Sequence, residues 1–240
     1  MNWIVVNDEK EMAKAGADFL LSRIINKPEL LLGLATGSTP VGMYRLMIEA
    51  YRKGEADFSR VRTYNLDEYY PILKSDVNSY VRFMRKNLFD HINIPRENTH
   101  LPNGEAKDGE AEAKAYEAMI AEVGYMDVQL LGIGQNGHIG FNEPDDKLCV
   151  NTHVTALTEN TVAANARFFD SPDCVPKHAL TMGIGTIMKA KEILLLANGK
   201  NKHAAIEALK DDTVTTAIPA TLLKLHPNVT IVCDKAAFEG

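Results

Sequence analysis

The chain has 240 residues, of which 45% are hydrophobic, so it can bury the core of one large α/β domain. Its 26 basic and 32 acidic residues give a net charge of −6 without a basic tail, which argues against nucleic acid as a partner. Three widely spaced cysteines form no zinc or disulfide motif, and no apolar stretch approaches the about 20 residues of a membrane span. With no signal-peptide pattern at the N-terminus, we expect a soluble cytoplasmic protein without membrane contact.

Short apolar runs alternate with longer amphipathic segments along the chain. Strands are predicted at residues 3–6, 30–35, 61–65, 128–133, 179–184, 193–197 and 229–233. Helices are predicted at residues 10–25, 40–52, 79–91, 110–123 and 202–210. This alternation predicts an α/β fold, a Rossmann-like three-layer sandwich with a mostly parallel central sheet. No linker or repeat interrupts the pattern, so residues 1–240 are expected to form a single domain.

The first loop with chemical potential follows the strand predicted at residues 30–35. Thr36, Gly37, Ser38 and Thr39 precede Pro40, which suits the first turn of a helix because it lacks a backbone donor. Backbone N–H groups, hydroxyls and the positive end of a helix dipole would then face one point, an arrangement that suits a phosphate. The alternative is that Ser38 or Thr39 merely caps the helix.

The second loop begins at the end of the strand predicted at residues 61–65. Asp67 and Glu68 lie there among apolar and aromatic residues, and a carboxylate that is partly desolvated is a better base. The alternative is a solvated acidic turn or a helix cap. Since neighbouring side chains on an extended segment point in different directions, only one of the two carboxylates is expected in a pocket.

The third loop, residues 134–144, follows the strand predicted at residues 128–133 and is named the histidine loop. It places the imidazole of His138 five residues before the carboxylate of Glu143, a pairing that suits acid/base chemistry. A lone histidine more often has a structural role, but a glycine-rich loop beside a carboxylate favours a functional one. Such loops lie at the carboxyl ends of strands, where open α/β sheets bind ligands.

Gly132, Gly134 and Gly137 have the spacing of a dinucleotide-binding fingerprint. That motif needs a helix after its last glycine, whereas another glycine and Pro144 follow here, so we reject nicotinamide binding. A metal site is also disfavoured, because His138 has no further histidine or cysteine at ligand spacing.

Two basic residues later in the chain could neutralise a phosphate. Arg167 and Lys202 both lie near the ends of predicted elements. Lys202 opens a predicted helix after the strand at residues 193–197, which places it at the same sheet edge as the three loops. The alternative for each is a solvated surface charge.

Four segments together closely resemble glucosamine-6-phosphate deaminases, the glucosamine/galactosamine-6-phosphate isomerase family. They are residues 34–40, 65–69, 131–144 and 179–183, and the resemblance runs in order over most of the chain. It implies conversion of glucosamine 6-phosphate and water to fructose 6-phosphate and ammonia in N-acetylglucosamine catabolism, a hydrolase reaction at a carbon–nitrogen bond. It implies neither a metal nor an organic cofactor.

The same resemblance implies roles for particular residues. Asp67 matches the base that moves a proton from C2 towards C1, and His138 matches the acid/base that opens the sugar ring. Glu143 and Asn136 match the groups that orient the histidine, and a last set matches phosphate contacts: Thr36, Gly37, Ser38, Thr39, Arg167 and Lys202. Many family members carry an aspartate at the position of Asn136, so a charged relay through this position is in doubt.

Regulated hexameric members use basic residues just after the histidine loop and a longer C-terminal extension. Here His153 and Thr155 occupy that region and the sequence ends at Gly240, so we expect a monomer without an allosteric site for N-acetylglucosamine 6-phosphate. Two other functions are weighed: a 6-phosphogluconolactonase-like hydrolase and a non-catalytic sugar-phosphate sensor. Residues 65–69 favour the deaminase, because ester hydrolysis needs no base at C2.

Overall fold

The computed structural model describes residues 1–158, 162, 169, 171 and 174–240. Its strands are β1 (Asn2–Val6), β2 (Leu31–Leu34), β3 (Arg62–Asn65), β4 (Asp67–Tyr70), β5 (Thr99–His100), β6 (Val128–Gly132), β7 (His153–Ala156), β8 (His178–Thr181), β9 (Glu192–Ala197) and β10 (Val229–Asp234). Its α-helices are α1 (Glu9–Asn26), α2 (Val41–Arg52), α3 (Tyr80–Asn87), α4 (Gly109–Glu122), α5 (Ile184–Met188), α6 (His203–Glu207) and α7 (Lys235–Glu239). Short 3₁₀ helices lie at Phe89–His91, Arg96–Asn98, Lys200–Lys202 and Pro219–Leu225.

The central sheet is parallel in every described pairing, in the order β1–β10–β9–β6–β2–β3–β5. Its middle strands are buried along almost their whole length, which explains why they read as continuous apolar runs rather than alternating ones. Helix α1 packs on α2 and against β9 and β10. The predicted α/β fold with a mostly parallel sheet is confirmed.

Helix α1 shows how the sequence sets its own ends. Asp8 accepts hydrogen bonds from the backbone N–H groups of Lys10 and Glu11, both at 2.9 Å, and so caps the first turn. Met12, Leu20 and other residues at helical spacing are buried against the sheet. Each end of the observed helix lies within one residue of the end predicted from the sequence.

The order of the strands reverses at β2, which creates a topological switch point at the carboxyl edge of the sheet. From β2 the chain continues to β3 and β5 on one side, and then returns to β6 on the other side of β2. The loop after β2 and the loop after β6 therefore leave two neighbouring strands in opposite directions. Open α/β sheets bind ligands at such a switch point.

A second, antiparallel sheet in the order β4–β8–β7 stands at this same edge. It was not predicted. The strand expected at residues 179–184 ends at Thr181 and pairs in this small sheet instead of the central one, while Ile184 begins α5. A small second core of Tyr69, Ile72, Phe141 and Ala179 lies beneath it.

Two predicted helices are shorter than expected. The helix predicted at residues 79–91 ends at Asn87, after which Leu88 leaves the helical conformation and a 3₁₀ turn follows. The helix predicted at residues 202–210 is α-helical only over His203–Glu207. Within the described part of the chain, no helix is both long and apolar enough to cross a bilayer.

Candidate active site at the carboxyl edge of the sheet

The histidine loop leaves β6 at the switch point and folds back on itself. The N–H of Gly134 donates to the carbonyl of His138 at 2.9 Å, and an isolated bridge joins Ile139 to Asn142. A Cβ on Gly134 would lie 2.3 Å from the imidazole ring of His138, so only glycine leaves room for the ring here. Gly137 has a positive φ of 81°, and no helix follows it, as the rejection of nicotinamide binding required.

His138, Glu143 and Asn136 come together within this loop. The Nδ1 of His138 lies 3.3 Å from Oε2 of Glu143, but the two atoms lack hydrogen-bond geometry, and Nδ1 has no hydrogen-bond partner among the described residues. Catalytic contacts of this kind often tighten only when substrate binds. The side chain of Glu143 is 10% exposed and that of His138 is 29% exposed, so the imidazole has access to solvent.

Asn136 forms hydrogen bonds with both Glu143 and His138. Its Nδ2 donates to Oε2 of Glu143 at 2.7 Å, and its Oδ1 accepts the backbone N–H of His138 at 3.2 Å. An ionised aspartate could accept the second bond but could not donate the first. The asparagine therefore holds Glu143 towards the histidine by a hydrogen bond, without adding a negative charge.

Asp67 opens β4 immediately after β3 and is 7% exposed. Burial and the nearby charge of Glu68 raise the pKa of Asp67 to about 8. The Oδ2 atom of Asp67 lies 3.7 Å from the position of a Cβ on Gly140, two residues beyond His138. The histidine loop thus passes directly over the Asp67 carboxylate.

Glu68 points away from Asp67, as expected for adjacent residues of a strand. Its carboxylate accepts the backbone N–H groups of Tyr69, Tyr80 and Val81 at 2.9 to 3.1 Å, and so caps the N-terminus of α3. Burial raises the pKa of Glu68 to about 7, although these three bonds act in the opposite direction. The carboxylate of Glu68 therefore binds the N-terminus of α3 and does not face the histidine loop.

The loop after β2 has the open backbone that an anion site needs. Gly37 has a positive φ of 93° with nothing within 4 Å of a Cβ placed on it. The expectation that Ser38 or Thr39 caps the helix is wrong: Pro40 occupies the cap position of α2, and no described side chain makes a capping bond. The hydroxyl of Thr39 instead donates to Asn198 after β9 at 3.0 Å.

Lys202 ends the 3₁₀ helix Lys200–Lys202, four residues after Asn198. Desolvation lowers the pKa of its ammonium group, which forms no hydrogen bond or ion pair with a described residue. A partly buried cation without a protein partner suits an anionic ligand. Arg167, the other predicted phosphate contact, lies outside the described residues.

Sequence reasoning missed the residues that connect these loops. Thr181 on β8 is fully buried, and its hydroxyl accepts the N–H of Phe141 in the histidine loop at 3.1 Å. Residues 179–183 were noticed only as a family resemblance, without a role for any of them. The packing of four aromatic rings against one another was also missed; they belong to Tyr69, Tyr80, Phe141 and Phe169.

Among the described residues, no group of three or more His, Cys, Asp or Glu side chains could hold a metal ion. At this edge of the sheet the histidine loop, with its imidazole–carboxylate pair, lies next to the buried carboxylate of Asp67. The loop after β2 is linked through Thr39 to Asn198, four residues before Lys202. This arrangement can move protons between neighbouring atoms of a small phosphorylated ligand.

Comparison with known proteins places these features in one family. The family profile of glucosamine-6-phosphate isomerases/6-phosphogluconolactonase matches residues 7–232. The chain is 53% identical to the glucosamine-6-phosphate deaminase of Thermoanaerobacter pseudethanolicus over 99% of this chain and 94% of the relative. It is 51% identical to that of Clostridioides difficile over 99% of this chain and 95% of the relative.

Solved structures give the same result. A monomeric glucosamine-6-phosphate deaminase superposes with a TM-score of 0.96 at 43% identity, covering 99% of this chain and 98% of the other. The 6-phosphogluconolactonase of Trypanosoma cruzi reaches 0.79 at 23% identity over 100% and 96%, a likeness in fold alone. The chain belongs to the glucosamine-6-phosphate isomerase/6-phosphogluconolactonase family.

Proposed function

We propose that the protein is a glucosamine-6-phosphate deaminase, which converts glucosamine 6-phosphate and water to fructose 6-phosphate and ammonia. The observation that carries this proposal is the buried carboxylate of Asp67 beneath the histidine loop. A lactonase hydrolyses an ester and needs no base at C2, whereas an aldose–ketose isomerisation does. Relatives at about half identity over almost the whole chain bear the deaminase name.

Ring opening is assigned to His138. The substrate is a closed pyranose, so a proton must leave the anomeric hydroxyl and reach the ring oxygen. A single imidazole can perform both transfers because its pKa lies near neutrality in model compounds. Glu143, held by Asn136, lies 3.3 Å from Nδ1 and would stabilise the imidazolium that forms between the two transfers.

The C2 proton is assigned to Asp67. Only the open-chain sugar has an acidic C2 proton, next to the C1 aldehyde. Asp67 takes this proton while the C1 oxygen gains one, which gives an enolamine. Asp67 then delivers its proton to C1, and the amine loses one N–H proton, which leaves an imine at C2. Water then adds to the imine, and ammonia departs with formation of the ketone. Burial makes Asp67 a stronger base once it is ionised.

Phosphate binding is assigned to Thr36, Gly37, Ser38 and Thr39, with Lys202 as a cation. Two features support this assignment: the exposed Gly37–Ser38 backbone at the N-terminus of α2, and the ammonium group of Lys202, which has no partner among the described residues. Arg167 is proposed as a further phosphate contact on the family resemblance. Fixing the phosphate holds C1 and C2 between His138 and Asp67, which reduces the entropic part of the barrier.

We further propose that residues 1–240 act as one cytoplasmic monomer. The solved relative with a TM-score of 0.96 is monomeric, which supports the oligomeric state. The three cysteines are free thiols, as in a reducing compartment. Neither nucleic acid nor a membrane is proposed as a partner.

The decisive experiment incubates the purified protein with glucosamine 6-phosphate and, separately, with 6-phosphogluconolactone. Ammonium and fructose 6-phosphate should form in equal amounts from the first, and no acid should be released from the second above the spontaneous rate. Lactone hydrolysis without ammonium would establish the 6-phosphogluconolactonase alternative. Binding of the amino sugar without turnover would establish a sensor.

A further inference from the structure

Thr181 occupies the centre of the small antiparallel sheet. Its Cα is the register partner of Asp67 on β4 and of His153 on β7. Side chains of directly opposite residues lie on the same face of a sheet, about 5 Å apart at Cβ. The Thr181 hydroxyl and the Asp67 carboxylate therefore share the face that the histidine loop covers.

The hydroxyl of Thr181 contacts the histidine loop where that loop crosses Asp67. It accepts the N–H of Phe141 at 3.1 Å and donates to the carbonyl of Met182 at 3.4 Å. A Cβ on Gly140 would lie 3.0 Å from this hydroxyl and 3.7 Å from Oδ2 of Asp67. Gly140 is thus next to both side chains.

The next residue extends the same junction. The N–H of Met182 donates to the carbonyl of Leu66 at 2.8 Å, directly before Asp67. The carbonyl of Met182 accepts Nδ2 of Asn142 at 2.9 Å, directly before Glu143. The backbone at the end of β8 therefore bonds to both catalytic segments, and among the described residues Thr181 has the only side chain of β8 that hydrogen-bonds to the histidine loop.

We propose that Thr181 is a positioning residue, whose hydroxyl sets the separation between the Asp67 carboxylate and the histidine loop that carries His138. The inference rests on the proposed function, because these two groups must act on adjacent parts of one sugar. A displacement of about 1 Å between catalytic groups can cost about 100-fold in rate. Thr181 touches neither the phosphate loop nor Lys202 in the described structure, so substrate affinity should depend on it little.

The test compares Thr181→Val, which is nearly isosteric but lacks the hydroxyl, with Thr181→Ser, which keeps it. On glucosamine 6-phosphate, T181V should lower kcat by about 10- to 100-fold with KM changed by less than about threefold. Exchange of the C2 proton with solvent should fall in parallel. T181S should remain within about threefold of the parent in each measurement.

Thr186→Val is the matched control. Thr186 is also buried, and its hydroxyl donates to Glu117 at 2.7 Å, away from both catalytic segments. A purely structural role for Thr181 predicts that T181V and T186V lose thermal stability alike and that both keep their kcat. The proposed role predicts a loss of kcat in T181V alone.

Several outcomes would overturn the proposal. T181V with the kcat of the parent would do so, as would T181S impaired as much as T181V, since the hydroxyl would then not be the cause. Should T181V not fold, Thr181→Ala removes the same hydroxyl in a smaller side chain; if neither variant folds, Thr181 acts in folding and not in positioning. A parent protein that releases no ammonium contradicts the proposed function instead, a result seen without any variant.

Discussion

At the scale of single residues, the burial of Asp67 affects folding and catalysis in opposite directions. Its pKa is raised to about 8 in the folded protein, whereas an unfolded aspartate titrates near 4. The folded state therefore binds the proton more tightly. Between these two pH values the folded protein loses stability as pH rises, because the carboxylate must ionise in a desolvated site.

Asp67→Asn should therefore inactivate the protein and stabilise it. Asparagine has nearly the shape of aspartate but never ionises, so at pH 8 the variant should be more stable by up to about 5 kcal/mol, or about 10–20 °C in Tm. At pH 4, where Asp67 is protonated in the folded protein and about half protonated in the unfolded chain, the difference should be small. Exchange of the C2 proton should be lost while substrate still binds.

Thermal denaturation at pH 4 and pH 8, together with exchange measured by NMR, checks both parts. Equal stability of the two proteins at pH 8 would show that Asp67 is not desolvated. Unchanged exchange would remove it from its proposed role as base.

His138→Gln should impair ring opening more than any later step. Glutamine can make hydrogen bonds but cannot carry a proton from the anomeric hydroxyl to the ring oxygen. We expect kcat/KM on glucosamine 6-phosphate to fall by about 100- to 10,000-fold, the usual contribution of an acid/base group. An analogue of the substrate that cannot close its ring should recover part of this loss.

The comparison with Asp67→Asn makes this experiment specific. The open-chain analogue bypasses ring opening but still needs a base at C2, so it should rescue H138Q and leave D67N inactive. Rescue of both variants, or of neither, would contradict the division of roles between the two residues.

At the scale of elements, Glu68 links the charge of the site to helix α3. Its carboxylate holds the first two N–H groups of α3, Tyr80 and Val81, and its charge raises the pKa of Asp67. Glu68→Gln removes that charge and should lower the pKa of Asp67. The acidic limb of the kcat/KM profile should then move to lower pH.

Asp108→Asn is the control for this variant. Asp108 caps α4 by accepting the N–H of Ala111 at 3.0 Å, so D108N also removes a capping charge from a helix, but outside the site. Its pH profile should match that of the parent. An acidic limb that moves equally in both variants, or to higher pH in E68Q, would exclude a direct effect of Glu68 on Asp67.

The elements of the central sheet could be predicted from the sequence, because buried parallel strands and amphipathic helices differ in period. The small sheet could not. Strand β4 starts with Asp67 and Glu68, residue types depleted in strands, and only Leu66 separates it from β3. Its partner β8 lies more than 100 residues later, so no local turn indicates the antiparallel pairing.

The residues of the site also divide into those that could be predicted from the sequence and those that could not. His138, Glu143 and Asn136 are close in sequence, and their arrangement within one loop could be anticipated. The position of Thr181 in the site could not be anticipated, since its contact with Phe141 depends on the register of the small sheet. A buried threonine at a strand end has no distinguishing pattern until its partner strand is known.

At the scale of the whole molecule, the net charge and the order of the strands together determine where an anionic substrate can bind. The net charge of −6 repels an anionic substrate weakly, so binding depends on local features. The switch point between β2 and β6 supplies these features, because it brings the N-terminus of α2 and the histidine loop to the same edge of the sheet.

This distribution bears on regulation by N-acetylglucosamine 6-phosphate. Regulated members of the family are expected to bind this anion with basic residues just after the histidine loop, where this chain has His153 and Thr155. Thr155 carries no charge, and the Nδ1 atom of His153 already contacts the carbonyl of Asn151 at 3.0 Å. Asp145 and Asp146 add negative charge earlier in the same segment. A dianion would meet little attraction there.

We therefore predict hyperbolic kinetics that this effector leaves unchanged. Initial rates over a range of glucosamine 6-phosphate should give a Hill coefficient near 1, with and without N-acetylglucosamine 6-phosphate, while light scattering reports a monomer at every protein concentration used. Cooperativity in a symmetric oligomer requires coupled sites on several subunits, and a monomer with one site has none. A sigmoidal curve that the effector makes hyperbolic would show both a second binding site and an assembly, and it would contradict the monomer proposal and the unregulated site together.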